Sequence, residues 1–426
     1  MKKLTITLLS LILSASLFAQ ERKTFDFIVP DNGDFKAAIA KANSRKDQSK
    51  RFRIFIKQGN YIIPASETST VKGMDDVEYP DPRTDLTASN VSIIGEGMEI
   101  TTLTNTPPMN LIEGQWGPAC PIEGLRKCYT LKNSGTDNYI QDLKLINGMK
   151  DHTGRGEALE DNGNRTICKN VGLWGYQDTY CSNNGNSRMY FEGGVIRGRT
   201  DYICGKDDIF FQGVEFRNVD AGGYIAVPSR PKQYGYIMRD CIITAEDPEK
   251  CDQNYTLGRP WGQGTPIALW INTTCMVIPK AIGWADMSGG WPAQYAEYGS
   301  VDKDGKALDL SGRKYSWTDK EGNIHPNKPV LSKKEAANYT VENVLGGDDN
   351  WDPQALTKPI DKPTNVLLNG KIITWDDDKQ ALCWAICQDG KVICFTTKNS
   401  YKIKNAGNYS VRAVSQMGGL SEPANL

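Results

Sequence analysis

Short apolar runs recur from Val91 onward, and their spacing constrains the fold more than any other feature of the chain. Glycine, asparagine and aspartate separate the runs, without helix-length periodicity between them. Four dipeptides occupy equivalent places in successive runs: Asn170-Val171, Gly194-Val195, Gly213-Val214 and Asp240-Cys241. They are separated by 24, 19 and 27 residues. Irregular periods in the low twenties predict an all-β fold, a right-handed parallel β-helix (solenoid) in which each coil carries about three short strands.

The main alternative for the same runs is a β-sandwich. A sandwich would show a hairpin signal about every 8–12 residues. Few two-residue hairpin turns occur before residue 320, so the sequence favours the solenoid. Loops of variable length leave its coils, and binding residues tend to gather on such loops.

The N-terminus has the pattern of an export signal. Lys2 and Lys3 precede the apolar stretch Leu4–Leu13, and small residues follow in Ser14–Ala19. This predicts a signal peptide over residues 1–19 and a secreted or periplasmic protein, with a buried N-terminal helix as the alternative. No later segment has 18 consecutive apolar residues, and the net charge of −1 gives no indication of nucleic acid or an anionic membrane as a partner.

The chain divides into three predicted parts after the signal. The β-helix covers residues 22–330, a helix and linker cover 331–362, and alternating strands fill 363–426. This last part resembles a fibronectin type III-like β-sandwich, with Trp375 in its core and Tyr409 as a tyrosine corner. We expect it to act as a spacer or docking module in a monomeric protein.

A metal centre is not indicated. The chain has eleven cysteines without a CxxC pair and only two histidines, His152 and His325. Most cysteines lie in apolar runs and are expected to be small buried hydrophobes, as at Cys168, Cys204 and Cys394.

Three segments concentrate the candidate chemistry: Gly175–Thr179, Thr200–Gly205 and Leu257–Trp261. Asp178 and Asp201 lie 23 residues apart, about one coil, so their carboxylates should stack. Strands in adjacent coils are about 4.8 Å apart, and carboxylates that close have divergent pKa values. Such a pair can supply one ionised nucleophile and one protonated acid.

Each of these residues also has an ordinary structural explanation. Aspartates often only accept hydrogen bonds from the backbone of solenoid turns, and Gln177 could belong to a column of stacked side chains. Trp261 could lie in the core, and Arg259 could form a surface ion pair. The combination of all three segments favours a functional site.

The three segments resemble the motifs GYQDT, DFIFG and LGRPW of the pectin methylesterase (pectinesterase) family. The resemblance spans about Phe25–Gly299. It implies hydrolysis of galacturonate methyl esters in pectin, which yields methanol and de-esterified pectin, without a metal or organic cofactor.

The resemblance also implies a role for each motif residue. Asp201 matches the nucleophile, and Asp178 matches the general acid that later acts as a base. Gln177 matches an oxyanion donor, Arg259 an arginine that orients the nucleophile, and Trp261 an aromatic residue that contacts substrate.

Two positions depart from the family pattern. A count without gaps from Gln177 puts Arg155 where the family has a second glutamine, and a guanidinium can also donate to an oxyanion. Tyr202 replaces a phenylalanine. We expect Arg155 and Tyr202 to contact substrate, and we expect Trp284 either to stack on a sugar or to be buried.

Other functions remain as alternatives. A serine esterase is disfavoured, since the chain has no GxSxG elbow and His152 has no nucleophile signature beside it. A pectate lyase-like enzyme would need acidic calcium ligands and an arginine base. Asp207-Asp208 is the only compact acidic pair nearby, and we expect it to form a solvated turn. A non-catalytic pectin-binding β-helix or an esterase for another acyl group, such as acetate, would share the fold.

Overall fold

The predicted parallel β-helix is confirmed. A computed structural model describes residues 22–72, 78–107, 128–152 and 155–426. Three parallel sheets of ten, nine and seven strands run along the solenoid, so each coil contributes about one strand to each sheet. The predicted signal peptide, residues 1–19, lies outside the described residues.

The strand bounds of the β-helix are as follows. Sheet 1 contains Phe27–Val29, Phe52–Ile56, Val91–Gly95, Tyr139–Gln141, Thr166–Lys169, Arg188–Glu192, Asp208–Gln212, Tyr236–Arg239, Ile267–Ile271 and Gln294–Tyr298. Sheet 2 contains Gly59–Ile63, Thr101–Asn105, Lys144–Ile146, Gly172–Trp174, Val195–Gly198, Glu215–Asn218, Ile242–Ala245, Thr274–Cys275 and Val301–Asp302. Sheet 3 contains Asp85–Leu86, Tyr129–Asn133, Glu157–Asp161, Tyr180–Ser182, Thr200–Gly205, Tyr224–Pro228 and Thr256–Gly258.

The remaining elements are short. The helices are Phe35–Asn43, Pro248–Cys251, Lys333–Ala337, Val341–Leu345 and Pro353–Thr357. Two hairpins pair Thr70–Lys72 with Glu78–Pro80 and Ser316–Thr318 with Ile324–Pro326. Within the described ranges no helix has the length and apolar character needed to span a bilayer.

One left-handed residue recurs in each of the last seven described turns from sheet 1 to sheet 2. Its φ lies between 48° and 68°, a region that glycine, asparagine and aspartate tolerate best. The positions are Asp142, Asn170, Gly193, Gly213, Asp240, Asn272 and Gly299. The amide of Asn170 donates to Asp142 at 2.7 Å and that of Asn272 to Asp240 at 2.9 Å, so the turns also bond to one another. This requirement explains the recurring dipeptides of the sequence.

The interior of the solenoid is a continuous apolar core. Inward side chains of one strand lie in register with those of the next coil, which forms columns of aliphatic and aromatic residues. In sheet 2 one such column contains Leu103, Leu145, Leu173, Ile196, Phe216 and Ile243. Burial of each such side chain stabilises the folded state by about 1.5–3 kcal/mol relative to leaving it exposed.

The outer face of sheet 1 is also apolar, although an exposed sheet face would normally be polar. An in-register column on this face contains Tyr139, Ile167, Tyr190, Phe210, Ile237, Leu269 and Ala296. Residues 331–417 cover this face and share its hydrophobic cluster. The β-helix therefore has a second core between sheet 1 and the C-terminal region.

The predicted linker is docked through specific contacts. Arg188, which is buried, donates to the carbonyls of Leu345 and Gly346 and forms an ion pair with Asp349. Thr357 donates to Glu192 at 2.6 Å. These bonds hold residues 345–357 on sheet 1.

The last region folds into two antiparallel sheets. One contains Leu367–Asn369, Ile372–Thr374 and Ser400–Lys402, and the other contains Cys383–Gln388, Lys391–Thr396, Tyr409–Val414 and Ala424–Asn425. The Phe395 ring packs on Phe25 and Phe55, and Arg53 donates to the Gln416 carbonyl at 2.7 and 2.9 Å. This packing does not favour the expected role of a spacer.

The described cysteines behave mostly as the sequence predicts. Cys168 and Cys204 are buried, and Cys394 is half-buried.

Candidate active site

The first candidate residues stack along the solenoid axis. Parallel bridges pair Arg155 with Gln177 and Gln177 with Thr200, so these three residues occupy one position in successive coils. Asp178 and Asp201 each lie one residue further along, and the Asp178 amide donates to the Thr200 carbonyl at 3.1 Å. The predicted stacking of the two aspartates and the position of Arg155 therefore match the register.

Both aspartates adopt the left-handed backbone conformation. Their φ values are 58° for Asp178 and 54° for Asp201, which is uncommon for residues other than glycine. The strand pairing also shifts register between Thr200 and Ile203. Local backbone strain of this kind is found at functional sites, where the surrounding fold maintains it.

Arg259 holds Asp201 with two hydrogen bonds. Its Nε donates to Oδ1 at 2.9 Å, and its Nη2 donates to Oδ2 at 2.6 Å. The ring of Tyr224 lies 3.9 Å from the guanidinium carbon, and the Tyr295 hydroxyl donates to the Arg259 carbonyl at 2.9 Å. The arginine is thus fixed at both its side chain and its backbone.

The two carboxylates differ in their electrostatic environment. Burial and the neighbouring charge of Asp201 raise the pKa of Asp178 to about 7, while Arg155 and Arg259 oppose the shift. Burial also raises the pKa of Asp201, but the hydrogen bonds and charge of Arg259 act against it. Asp201 is the better-stabilised anion, and Asp178 is the carboxyl that can hold a proton near neutral pH.

Two polar side chains lie beside this pair. Arg155 Nε is 3.5 Å from Asp178 Oδ2, and 44% of the arginine side chain is exposed. The Gln177 side chain makes no hydrogen bond to any other described residue, although only 9% of the residue is exposed. Both can donate to a group bound at the aspartates.

The aromatic candidates divide between surface and core. Trp261 is 45% exposed and lies two residues beyond Arg259. Tyr202 and Trp284 are fully buried in the main hydrophobic core. The prediction that Tyr202 contacts substrate is wrong, because its side chain points into the main core, where the register shift after Thr200 places it beside Ile203. For Trp284, burial is the correct alternative.

The glycine that ends the second motif has a clear geometric role. Gly205 has φ +112°, and a Cβ there would meet the Ser182 carbonyl oxygen at 1.8 Å. Only glycine allows the strand with Asp201 to approach the preceding coil this closely.

The acidic pair considered for calcium binding serves the turns of the solenoid. Asp207 accepts from the Gly185 and Ser187 amides, and Asp208 accepts from the amides of residues 233–235. Both are buried, so the expectation of a solvated turn is corrected. No group of three or more histidine, cysteine or acidic side chains in the described ranges is arranged to hold a metal ion.

Sequence reasoning missed Tyr224 and Tyr295, which support Arg259. The coil period contains a signal for the first, since Tyr224 pairs with Thr200 one coil later. The second lies in the strand Gln294–Tyr298, and no local pattern distinguishes its inward hydroxyl.

Comparison with known proteins identifies the family. The family model described as Pectinesterase matches residues 29–348. Pectinesterase 1 of Solanum lycopersicum is 23% identical over 292 residues, which cover 66% of this chain and 48% of that protein. Pectinesterase B of Dickeya dadantii is 28% identical over 152 residues, which cover 31% of this chain and 35% of that protein. The chain thus spans less than half the length of these curated relatives.

Solved structures share the fold. The pectin methylesterase from carrot has a TM-score of 0.59 at 18% identity and covers 78% of this chain and 96% of its own. Pectin methylesterase PemA from Erwinia chrysanthemi has a TM-score of 0.51 at 20% identity, with 78% and 99% covered. The family match extends over most of the chain and includes both aspartates and Arg259, and the chain therefore belongs to the pectinesterase family.

Proposed function

We propose that this protein hydrolyses galacturonate methyl esters in pectin and releases methanol and de-esterified pectin. One observation carries the proposal: two aspartates lie at equivalent positions of adjacent coils in different electrostatic environments. Arg259 fixes Asp201 as an anion, whereas the pKa of Asp178 is raised to about 7. A nucleophile and a proton donor are thus available at the same pH.

In the first half of the proposed reaction, Asp201 attacks the ester carbonyl carbon. The side chain of Gln177 and the guanidinium of Arg155 donate to the oxyanion that forms, and Asp178 gives its proton to the departing methanol. Collapse of the intermediate leaves the galacturonyl group bound to the Asp201 carboxylate as an acyl-enzyme. Preorganised donors of this kind typically lower a barrier by about 2.7–4 kcal/mol each.

In the second half, Asp178 is ionised and acts as the base. It accepts a proton from water, the resulting nucleophile attacks the acyl carbon, and Asp201 leaves as a carboxylate. The galacturonate product carries a free acid, and Asp178 is again protonated. Every proton in the cycle moves through Asp178, so no metal or cofactor is required.

Substrate contact is assigned to Trp261 as well as Arg155. The exposed indole lies two residues from Arg259, where its apolar face is available to a sugar ring. A pectin methylesterase that shares the fold was solved in complex with hexasaccharide VII, which supports an oligosaccharide as the ligand class.

The direct test is methanol release from highly methylated pectin, with and without a chelator. The proposal predicts methanol in both conditions and no new unsaturated product. An ultraviolet-absorbing unsaturated product that disappears with chelator would indicate a lyase. Pectin binding without turnover would indicate a binding protein, and acetate release would indicate a different acyl specificity.

Export by a signal peptide at residues 1–19 is also proposed, on the charged and apolar pattern of that segment. Mass spectrometry of the mature protein should find an N-terminus at Gln20. An intact Met1 on the exported protein would contradict this assignment.

We further propose that residues 363–426 form a fibronectin type III-like sandwich in a monomeric enzyme. The Tyr409 hydroxyl donates to the Asn405 carbonyl four residues upstream at 3.0 Å, as a tyrosine corner does. Trp375 is buried in an edge-to-face contact with Trp384, as expected for the centre of such a sandwich. An elution volume that corresponds to about twice the monomer mass would contradict the monomer.

A further inference from the structure

Each candidate aspartate is followed by a cysteine three residues later. Cys181 follows Asp178, and Cys204 follows Asp201, so the pattern Asp-x-x-Cys occurs in two successive coils. The two cysteines are direct partners in sheet 3, where their strands pair in parallel. Their thiols are close enough for Cys204 to share a hydrogen bond with Cys181.

The two thiols lie on the outer side of sheet 3, outside the main core. They form a small cluster with Val227, against which Tyr224 and Met287 pack. Each cysteine is 4% exposed. The proposed mechanism uses neither thiol.

The strand geometry allows a bond between these sulfur atoms. Neighbouring strands lie about 4.7–4.9 Å apart, and the Cα atoms of disulfide-bonded cysteines are usually about 4.4–6.8 Å apart. Directly paired cysteines on one face of a parallel sheet therefore fall inside the range that a disulfide needs. The side chains only have to lean toward each other.

We propose that Cys181 and Cys204 form a modification site at which a peroxide converts the two thiols into a disulfide. The bond would join the two strands that begin beside the aspartates. It would fix the spacing of the coils that carry Asp178 and Asp201. The proposal concerns the thiols alone and does not depend on the esterase reaction.

The oxidation takes place in two balanced steps. One thiolate attacks hydrogen peroxide, so that a sulfur–oxygen bond forms, the oxygen–oxygen bond breaks and the released hydroxide takes up a proton to become water. The second thiol then attacks the sulfenic acid, the sulfur–sulfur bond forms, and a second water leaves. The thiols lose two electrons, and the peroxide is reduced to water.

Burial controls the rate of this reaction. Contact with Cys181 and removal from solvent raise the pKa of Cys204 well above that of an ordinary thiol. Because the thiolate is the reactive form, oxidation should be slow at neutral pH and faster as the pH rises.

The experiment uses the folded full-length chain treated with hydrogen peroxide, then denatured, alkylated and digested. Peptide mapping should find Cys181 and Cys204 joined, with a mass two hydrogens below that of the separate peptides. Cys181→Ser and Cys204→Ser should each abolish the cross-link. Cys241→Ser, which removes another buried thiol, is the matched control and should retain it.

A second measurement is made on the same samples. The midpoint of thermal unfolding of the oxidised parent, followed by circular dichroism, should be higher by roughly 3 °C or more, because a disulfide restricts the unfolded chain, and dithiothreitol should reverse the gain. Sulfinic acid at these cysteines without a cross-linked peptide would overturn the proposal, as would a cross-link to any other cysteine. The peptide masses and the unfolding midpoint are measured without substrate, so a failed esterase assignment would not affect them.

Discussion

Arg155 and Asp178 face each other across 3.5 Å, from Nε to Oδ2, longer than a normal hydrogen bond of about 2.7–3.2 Å. Arg259, in contrast, holds Asp201 with two short hydrogen bonds. Each carboxylate thus has a cation of its own, but only one is tightly bound. This difference lets one acid remain ionised while the other can exchange protons.

Asp201→Asn should lower methanol release by about 10³-fold or more, because an amide cannot attack the ester. Steady-state assays on methylated pectin measure this loss, and circular dichroism checks the fold. Asp304→Asn, at an exposed aspartate, is the control and should turn over like the parent. Parent-like turnover by the Asp201 variant would remove this residue from the mechanism.

Arg155→Ala should lower turnover by about 10²–10³-fold, the usual effect of removing one oxyanion donor. Arg155→Gln should lower it less, because a neutral donor remains at the same place in the coil. If the arginine served only as a partly exposed ion pair, its contribution would be about 0–1 kcal/mol. Nearly equal rates for the parent and both variants would support that simpler role.

The dependence of kcat/KM on pH should reflect the pKa of Asp178, about 7. Activity should fall as the pH rises through this value, because the acid loses the proton it gives to methanol. On the acidic side, activity should fall as Asp201 becomes protonated. Arg155 lowers the pKa of Asp178, so Arg155→Gln should move the alkaline limb to higher pH. An alkaline limb that does not move would show that Arg155 has no electrostatic effect on this acid.

Removal of residues 351–426 should destabilise the protein, even though every candidate site residue precedes residue 262. The deletion would uncover Phe25 and Phe55, which contact Phe395, and would expose much of the outer face of sheet 1. Thermal unfolding and size-exclusion chromatography should show a lower midpoint or aggregation. A truncated chain that is soluble, monomeric and as stable as the parent would contradict this prediction.

A smaller change tests the same contact. Phe395→Ala should cost about 3–5 kcal/mol at most, since the residue is only partly buried. Tyr315→Ala, at a tyrosine that is 73% exposed, is the matched control and should change stability by less than about 0.5 kcal/mol. Equal effects of the two substitutions would mean that the Phe395 contact contributes nothing specific.

The repeated turn could be predicted from the sequence because it depends on the backbone conformation of a single residue. From Asp142 onward, each described turn from sheet 1 to sheet 2 needs a left-handed residue, and asparagine, aspartate or glycine fills each such place. The stacking of Asp178 on Asp201 followed from their 23-residue separation for the same reason. The burial of Tyr202 was not predictable from strand alternation, because the register shift after Thr200 puts Tyr202 and Ile203 in the same core.

The outer face of sheet 1 was not predictable in this way. Ile167 and Cys168 are both buried, but against different cores, and a run apolar on both faces does not reveal what covers its second face. The support of Arg259 by Tyr295 depends likewise on contacts between residues distant in the chain. Such contacts leave no local periodicity.

The cover on sheet 1 has a consequence for the order in which the protein matures. Phe25 and Phe55 enter the structure near its beginning, whereas their cover includes Phe395, which a ribosome adds more than three hundred residues later. Until Phe395 has been synthesised, the apolar outer surface of the early coils is therefore exposed to water, and such a state is prone to aggregation. Contacts of such long sequence separation also slow folding. The packing of the first coil is therefore completed only after almost the whole chain has been synthesised.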